Sequence, residues 1–216
     1  MVAEEQTAGR GRRGRAWHSP PGLNLTVSVA LRPQLAAGVA WQLAVAAGLA
    51  ARAACALHAP VELKWPNDLV ASDGAKLGGL LVETTVDGER VTSAVVGIGL
   101  NVNWRRADMP AEIAGGATSL ADLSGHPIDR VALLGALLDE LDAEVVGLEA
   151  GRSPLERYRV ACTTLGSDVA VETATGRLTG RAVEVDRTGA LVLDTAAGRV
   201  ALASGEVVRL RPGALA

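Results

Sequence analysis

The run Gly9-Arg10-Gly11-Arg12-Arg13-Gly14-Arg15, followed by Ala16 and Trp17, gathers four arginines into a short stretch of a chain whose formal net charge is -3. Glycine lets backbone come close to a ligand and adopt positive φ. Arginine presents a planar fork of donors matched to carboxylate or phosphate. Together they describe a place where an anion sits. The same composition occurs in disordered RNA-binding tails and basic localisation patches, and the Lys-Ser/Thr ending of a Walker loop is absent. Further along, Asn67 and Asp68 end the segment Lys64-Trp65-Pro66-Asn67-Asp68. They are suited to hold Mg²⁺ or a ribose, since hard cations take oxygen ligands, and they are also ordinary turn formers. Lys76 opens an apolar strand-like run. It can bridge a carboxylate and a phosphate while one attacks the other, or be a solvated edge charge. The run from Gly97 to Asn103, GIGLNVN, is no dinucleotide fingerprint, because the residues after Gly99 alternate like a strand. Its glycines, like Gly78 and Gly79, suit a ligand lying close to backbone, and Asn101 and Asn103 share one strand face.

No Ser-His-Asp or paired-carboxylate arrangement stands out, and the three histidines occupy unrelated settings. A reaction here runs on positioning and charge neutralisation, which describes phosphoryl or adenylyl transfer. With 49% hydrophobic residues and a mean hydropathy of +0.23, the chain is globular. Without phenylalanine and with one tyrosine, its core is aliphatic, which makes Trp17, Trp65 and Trp104 conspicuous beside the polar and glycine-rich segments. Cys55 and Cys162 lack a CxxC spacing or nearby histidines, the pattern of a reduced, cytoplasmic protein without a cysteine metal site. An acidic balance, pI about 5.7, and scarce aromatics argue against a nucleic-acid-binding module built on the Arg-Gly stretch and a small barrel. The charge-free stretch from Leu35 to Ala51 is too short and too rich in Ala and Gly for a membrane span and reads as a buried helix. No secretory signal opens the chain.

These segments need elements to hold them. Met1–Ala3 reads as a short strand leading to the glycine loop, and Leu23 to Leu31 alternates as a half-buried strand. Pro33 opens an Ala-rich helix ending near His58-Ala59-Pro60. A strand comes next over Val61–Trp65, then a hairpin of Lys76–Val86 and Val91–Val102 turning at Asp87-Gly88. Residues 104 to 127 read as an irregular connection with a helical piece at Thr118–Leu123. Asp129 caps a helix whose apolar stripe is Leu134, Leu138, Leu141, Val145 and Leu148. Ser153-Pro154-Leu155-Glu156 is a capping box opening a helix that stops at Gly166. Five short β-rich runs, 168–174, 177–186, 190–194, 199–203 and 207–210, then predict a small barrel.

Taken in this order, QTAGRGRRGRAW, VELKWPNDLV, KLGGLLVE and GIGLNVN, with a small C-terminal barrel after them, resemble biotin–protein ligases over nearly the whole chain. The resemblance implies an α/β fold: a mixed sheet with packed helices, like a class II aminoacyl-tRNA synthetase catalytic domain, over residues 1–165, and a small β-barrel over 166–216. It implies ATP-dependent conversion of biotin to biotinyl-5′-adenylate, with Mg²⁺, and transfer of biotin to a lysine of a biotin carboxyl carrier protein. A lipoate or octanoate ligase or transferase shares the architecture. By the same resemblance Lys76 and Arg12 are catalytic, and Gln6, Gly9, Arg10, Gly11, Gly79, Gly97 and Gly99 meet biotin or its adenylate. Arg13, Arg15, Trp17, Asn67, Asp68 and Asn101 meet ATP, with Asp68 toward the metal. The family's Ser-Thr-Asn segment upstream of the glycine loop has no counterpart in the sequence, so an N-terminally incomplete catalytic domain is expected. No DNA or membrane partner is expected, and a homodimer stays open.

Overall fold

The alternating run after Gly22 has a period of two because one face meets a core and the other does not, and it becomes a central strand. A computed structural model describes residues 1–174 and 176–209. Strands β1 (Val2–Ala3), β2 (Gln6–Arg10), β3 (Ala16–Ser19) and β4 (Leu25–Leu31) precede helix α1 (Gln42–Ala56). Then come β5 (Glu62–Lys64), β6 (Asp68–Val70), β7 (Lys76–Asp87) and β8 (Arg90–Leu100). Helices α2 (Ala111–Ala114), α3 (Leu120–Ser124), α4 (Arg130–Glu149) and α5 (Leu155–Ala161) are next, and β9 (Asp168–Thr173), β10 (Gly176–Val185), β11 (Leu191–Thr195), β12 (Gly198–Leu202) and β13 (Glu206–Arg209) close the described chain.

The first sheet runs β1-β4-β8-β7-β6-β5. All its ladders are antiparallel, and parallel pairing is confined to isolated bridges at Leu63–Cys162 and Lys76–Ala117. The β7–β8 hairpin turns at Asp87-Gly88 as its sequence predicts, with Gly88 at φ 57°. Helix α1 packs against both the sheet and α4, and it is buried around most of its circumference. Its alanines and Gly48 make this close approach cheap: a Cβ on Gly48 would already stand 3.4 Å from Leu80 Cδ1. Among the described residues no helix is long and apolar enough to cross a membrane.

Five expectations need correction. The helix expected from Pro33 starts at Gln42. The segment before it is tied to the sheet, with Ala37 N donating to Glu89 O and Val91 N to Leu35 O. Asp68 does not end at a turn but begins strand β6, whose backbone pairs with both β5 and β7. Asp129 caps α4 as expected, its carboxylate accepting from Val131 N and Ala132 N. The buried stripe of α4, however, is Leu133, Leu137, Leu141, Val145 and Leu148, whereas Leu138 is 40% exposed. Leucines at both 133/137 and 134/138 satisfy the i, i+4 spacing, and contact with α1 chooses between them. The capping box is not reciprocal: Ser153 Oγ accepts from Leu155 N, but Glu156 turns to Arg159. That helix ends at Ala161, before Gly166.

The C-terminal strands fall where the glycine punctuation placed them, in an antiparallel sheet of order β12-β11-β10-β9-β13. The last position of the fifth expected run, residue 210, lies outside the described residues. No ladder joins the outer strands β12 and β13 among the described residues. Two tryptophans clamp the β10–β11 turn against the first sheet. Trp65 Nε1 donates to Gly189 O at 3.0 Å, and Gly189, at φ 83°, lies so close under Trp41 that a Cβ would come within 2.6 Å of its ring. Because Leu137 is fully buried and Leu138 is not, Leu137→Ala is expected to cost about 2–5 kcal/mol in chemical denaturation. Leu138→Ala should cost less than about 1 kcal/mol.

Candidate active site

The Arg-Gly run folds into the tip of a hairpin. Its flanks pair as β2 and β3, with Gly9 opposite Trp17 and Arg10 opposite Ala16. Gly11 N donates to Arg15 O across the tip. Such a folded tip is not an extended tail. At the tip Arg13 adopts φ 58°, ψ 30°, the left-handed region where a non-glycine residue is strained. Gly9 serves the pairing itself, since a Cβ there would stand 2.4 Å from Trp17 O.

This tip overhangs a cavity of about 480 Å³ on the sheet face. The cavity brings together Gln6, Arg10, Gly11, Arg12, Arg15 and Trp17 from the loop region, with Asn67, Asp68, Lys76, Gly79, Gly97, Gly99 and Asn101 from the sheet. Gly9 and Arg13 do not line it. Asp68 Oδ1 accepts from Lys76 Nζ at 2.7 Å. Strands β6 and β7 set that pair: Asp68 stands opposite Gly79, and a Cβ on Gly79 would be 3.4 Å from Lys76 Nζ and 3.6 Å from the Asp68 carboxylate. Asn67 Nδ2 donates to Leu80 O at 2.8 Å, which leaves Asn67 Oδ1 to accept from Arg12 Nη1 at 3.4 Å. Burial lowers the Arg12 pKa, opposed by the nearby Asp68 charge; arginine stays protonated regardless. The Trp17 indole lies flat on Gly99, where a Cβ would come within 2.6 Å of the ring, and its Nε1 is buried without a partner among the described residues. Lys76 Nζ sits 5.9 Å from the Trp17 ring centroid.

Asn101 borders the cavity, but its side chain is occupied by the scaffold: Nδ2 donates to Thr118 O and Oδ1 accepts from Asn24. Asn103, two residues on, is held outside the cavity by both polar atoms to Ile128 backbone. Sequence reasoning passed over Thr26 and Ser28 of β4, together with Ile113 and Ala117, and marked Trp104 as conspicuous without giving it a site role; all of them line the cavity. Thr26 and Ser28 occupy the polar positions of an alternating strand, which usually face solvent; here the β2–β3 arm folds back over that face. The arrangement can neutralise two anions at once, with Lys76 held by Asp68 and Arg12 by the adjacent Asn67, beside a backbone floor at Gly97. The described residues hold no cluster of three His, Cys, Asp or Glu side chains. The cavity lining holds two carboxylates, Asp68 and Glu83, too few for a protein-built cage but enough for a Mg²⁺ ion carried mostly by phosphates and water.

Comparison with known proteins bears on this geometry. The family description Biotin/lipoate A/B protein ligase family matches residues 1–101, and Biotin protein ligase C terminal domain matches residues 164–210. A biotin--[acetyl-CoA-carboxylase] ligase of Mycobacterium tuberculosis is 38% identical over 219 residues, covering 98% of this chain and 79% of that protein. The bifunctional ligase/repressor BirA of Bacillus subtilis is 33% identical over 214 residues, and this chain spans 65% of its length. The solved biotin protein ligase of Aquifex aeolicus in complex with biotin and ATP superimposes with a TM-score of 0.81 at 31% identity, covering 97% of this chain and 88% of that one. The arginine tip, the Lys76 strand and the C-terminal sheet therefore stand in one frame with a relative 38% identical over almost the entire sequence, and the chain belongs to the biotin/lipoate A/B protein ligase family.

Proposed function

We propose that the chain is a biotin–protein ligase that condenses biotin with ATP to biotinyl-5′-adenylate and pyrophosphate, then transfers biotin to a lysine of a biotin carboxyl carrier protein. The observation that carries this is the convergence of Lys76 and Arg12 on one open cavity, each steered by a neighbour in the Asn67-Asp68 pair. Adenylation needs a carboxylate oxygen to approach an α-phosphate, two anions that repel. Lys76 is placed to lie between them, and Arg12 to take charge from the phosphate side, so the rate comes from preorganised charge and orientation. The backbone floor at Gly97 and the Trp17 ring seated on Gly99 suit the planar adenine and the bicyclic biotin. In the second half, the carrier lysine amine attacks the acyl carbon, and AMP leaves with the electrons of the acyl–oxygen bond.

Mg²⁺ belongs to this proposal. When bound, it shields the phosphate charge; Asp68 is the residue that would hold it. We also propose residues 1–165 as the catalytic unit and 166–216 as the C-terminal unit, of which 175 and 210–216 lie outside the described residues. The Trp65 contact to Gly189 supports a fixed junction between the two. Two buried, unpaired cysteines support a reducing, cytoplasmic setting; burial holds the Cys55 thiol up at about 12. The outer strand β1, with a free backbone edge, supports a homodimer.

Calorimetry tests the reading directly: biotin and ATP should each bind, and lipoate should not displace biotin. Lys76→Ala should slow biotin-dependent pyrophosphate release by about a hundredfold or more, with an unfolding midpoint close to the parent's. Normal release would remove Lys76 from the chemistry. Arg12→Ala should shorten the residence time of the adenylate, measured by filter retention; an unchanged lifetime would deny the arginine tip its role as a cover. Gly99→Val should push Trp17 off its seat and weaken ATP binding while the β7–β8 hairpin keeps its hydrogen-exchange protection.

A further inference from the structure

Beside the main cavity lies a small side cleft of about 30 Å³, roughly the share of one water molecule in the liquid. The two spaces have Arg12, Arg15, Asn67 and Asp68 in common, so the cleft opens from the cavity's cationic wall. Its other walls include Arg13, Lys64 and Glu206. Lys64 borders the cleft and not the cavity. It stands on β5 directly opposite Asp68 of β6, yet Asp68 accepts its short hydrogen bond from Lys76. Among the described residues the Lys64 side chain makes no hydrogen bond or ion pair, although the residue is partly buried. Burial accordingly pushes the Lys64 ammonium below the usual lysine range, against the pull of Asp68 and Glu206. A half-buried cation among three arginines is an expensive arrangement unless an anion completes it.

Two carboxylates border the cleft: Asp68, already engaged by Lys76, and Glu206. The Glu206 carboxylate pairs with Arg15 across the junction between the C-terminal sheet and the arginine tip, and both side chains are well exposed, 42% and 55%. Exposed pairs of this kind are weakly held. Arg13, strained at φ 58°, reaches the same sheet through Glu172 O at 3.0 Å. Two of the tip's arginines are thus held by the C-terminal sheet, at the edge of a cleft too small for a diphosphate until Glu206 swings out.

We propose that Lys64, with Arg13 and Arg15, receives the pyrophosphate leaving group in this cleft, and that Glu206 occupies the anion's place until the nucleotide arrives. The assignment rests on the ligase reading above. In adenylation a biotin carboxylate oxygen bonds to the α-phosphorus, and the bond from that phosphorus to the bridging oxygen breaks. The electron pair leaves on the β-phosphate, so pyrophosphate departs with the new negative charge. Lys76 and Arg12 meet the α-phosphate; Lys64, on β5, lies two strands from Lys76 with β6 between them, in the cleft that would take the departing charge. Displacing Glu206 frees Arg15 from the C-terminal sheet and leaves Arg13 on Glu172 O as the tip's remaining hold, so occupancy of the cleft loosens the tip.

Calorimetric titration of sodium pyrophosphate into the full chain tests this without biotin or turnover. The parent should bind pyrophosphate. Lys64→Met, which keeps the apolar stem, should weaken it about tenfold or more, the loss of one charge-assisted contact. Lys64→Arg should recover most of the affinity, and Glu206→Gln should tighten it by removing the competing carboxylate. Biotin affinity, measured in parallel, should be unchanged in all three variants. Undetectable binding by the parent, or Lys64→Met within about twofold of it, would overturn the proposal. So would a Lys64→Met variant that loses biotin and pyrophosphate affinity alike, since that marks a general distortion. A parent that binds pyrophosphate but not biotin would refute the ligase reading while leaving the cleft assignment intact.

Discussion

The hydrogen bond from Lys76 to Asp68, 2.7 Å long, is the contact on which the site depends. A site for two anions must collect cations, and cations collected in a protein repel one another until the anions arrive. Asp68 is the carboxylate that makes the collection tolerable: it pairs with Lys76, and its charge also acts on Arg12 and Lys64. Its position is a matter of backbone register. Asp68 lies opposite Lys64 on one side and Gly79 on the other, so each strand neighbour contributes either a cation or the space for one. One register slip in β6 would exchange Asp68 for a residue of the opposite face and leave three cations without a counterion.

The glycines of β7 and β8 serve the same site by omission. In a strand interior glycine forfeits packing, but Gly79 clears the volume of the Lys76–Asp68 pair and Gly99 gives the Trp17 indole a flat seat. The ring so placed carries an unpartnered Nε1 and lies under the Lys76 ammonium. An aromatic ring seated directly on glycine backbone offers a flat surface to a planar group without a specific polar contact at every edge, which leaves orientation to the charged residues at the rim.

The C-terminal sheet is more than an appendage because it meets both the floor and the roof of the site. Trp65, between Lys64 and the cis Pro66, donates its indole N–H to Gly189 O and its backbone N–H to Thr164 Oγ1. The same sheet holds Arg13 through Glu172 and Arg15 through Glu206. The KWPND segment and the arginine tip meet directly through Arg12 and Asn67, and a third element grips both.

The sequence by itself singled out the residues proposed to carry the chemistry. The arginine run, Asn67-Asp68, Lys76 and the paired glycines each have an ordinary reading alone and stand out by occurring together in this order, and the β7–β8 hairpin, the Asp129 cap and the five C-terminal strands are visible because turn and cap chemistry is local. Other features depended on contacts between segments far apart in the chain. The stripe of α4 slid by one residue because two leucine pairs satisfy the same period, and only packing on α1 separates them. Thr26 and Ser28 looked like the solvent face of an alternating strand until the β2–β3 arm folded over it. Lys64 looked like any lysine on a short strand; its significance lies in Asp68 being taken by Lys76 and in Glu206, 142 positions later, closing the cleft beside it. Spacing along the chain reports a residue's own backbone period, but a counterion is found only where separate strands meet, and that meeting is settled by tertiary packing.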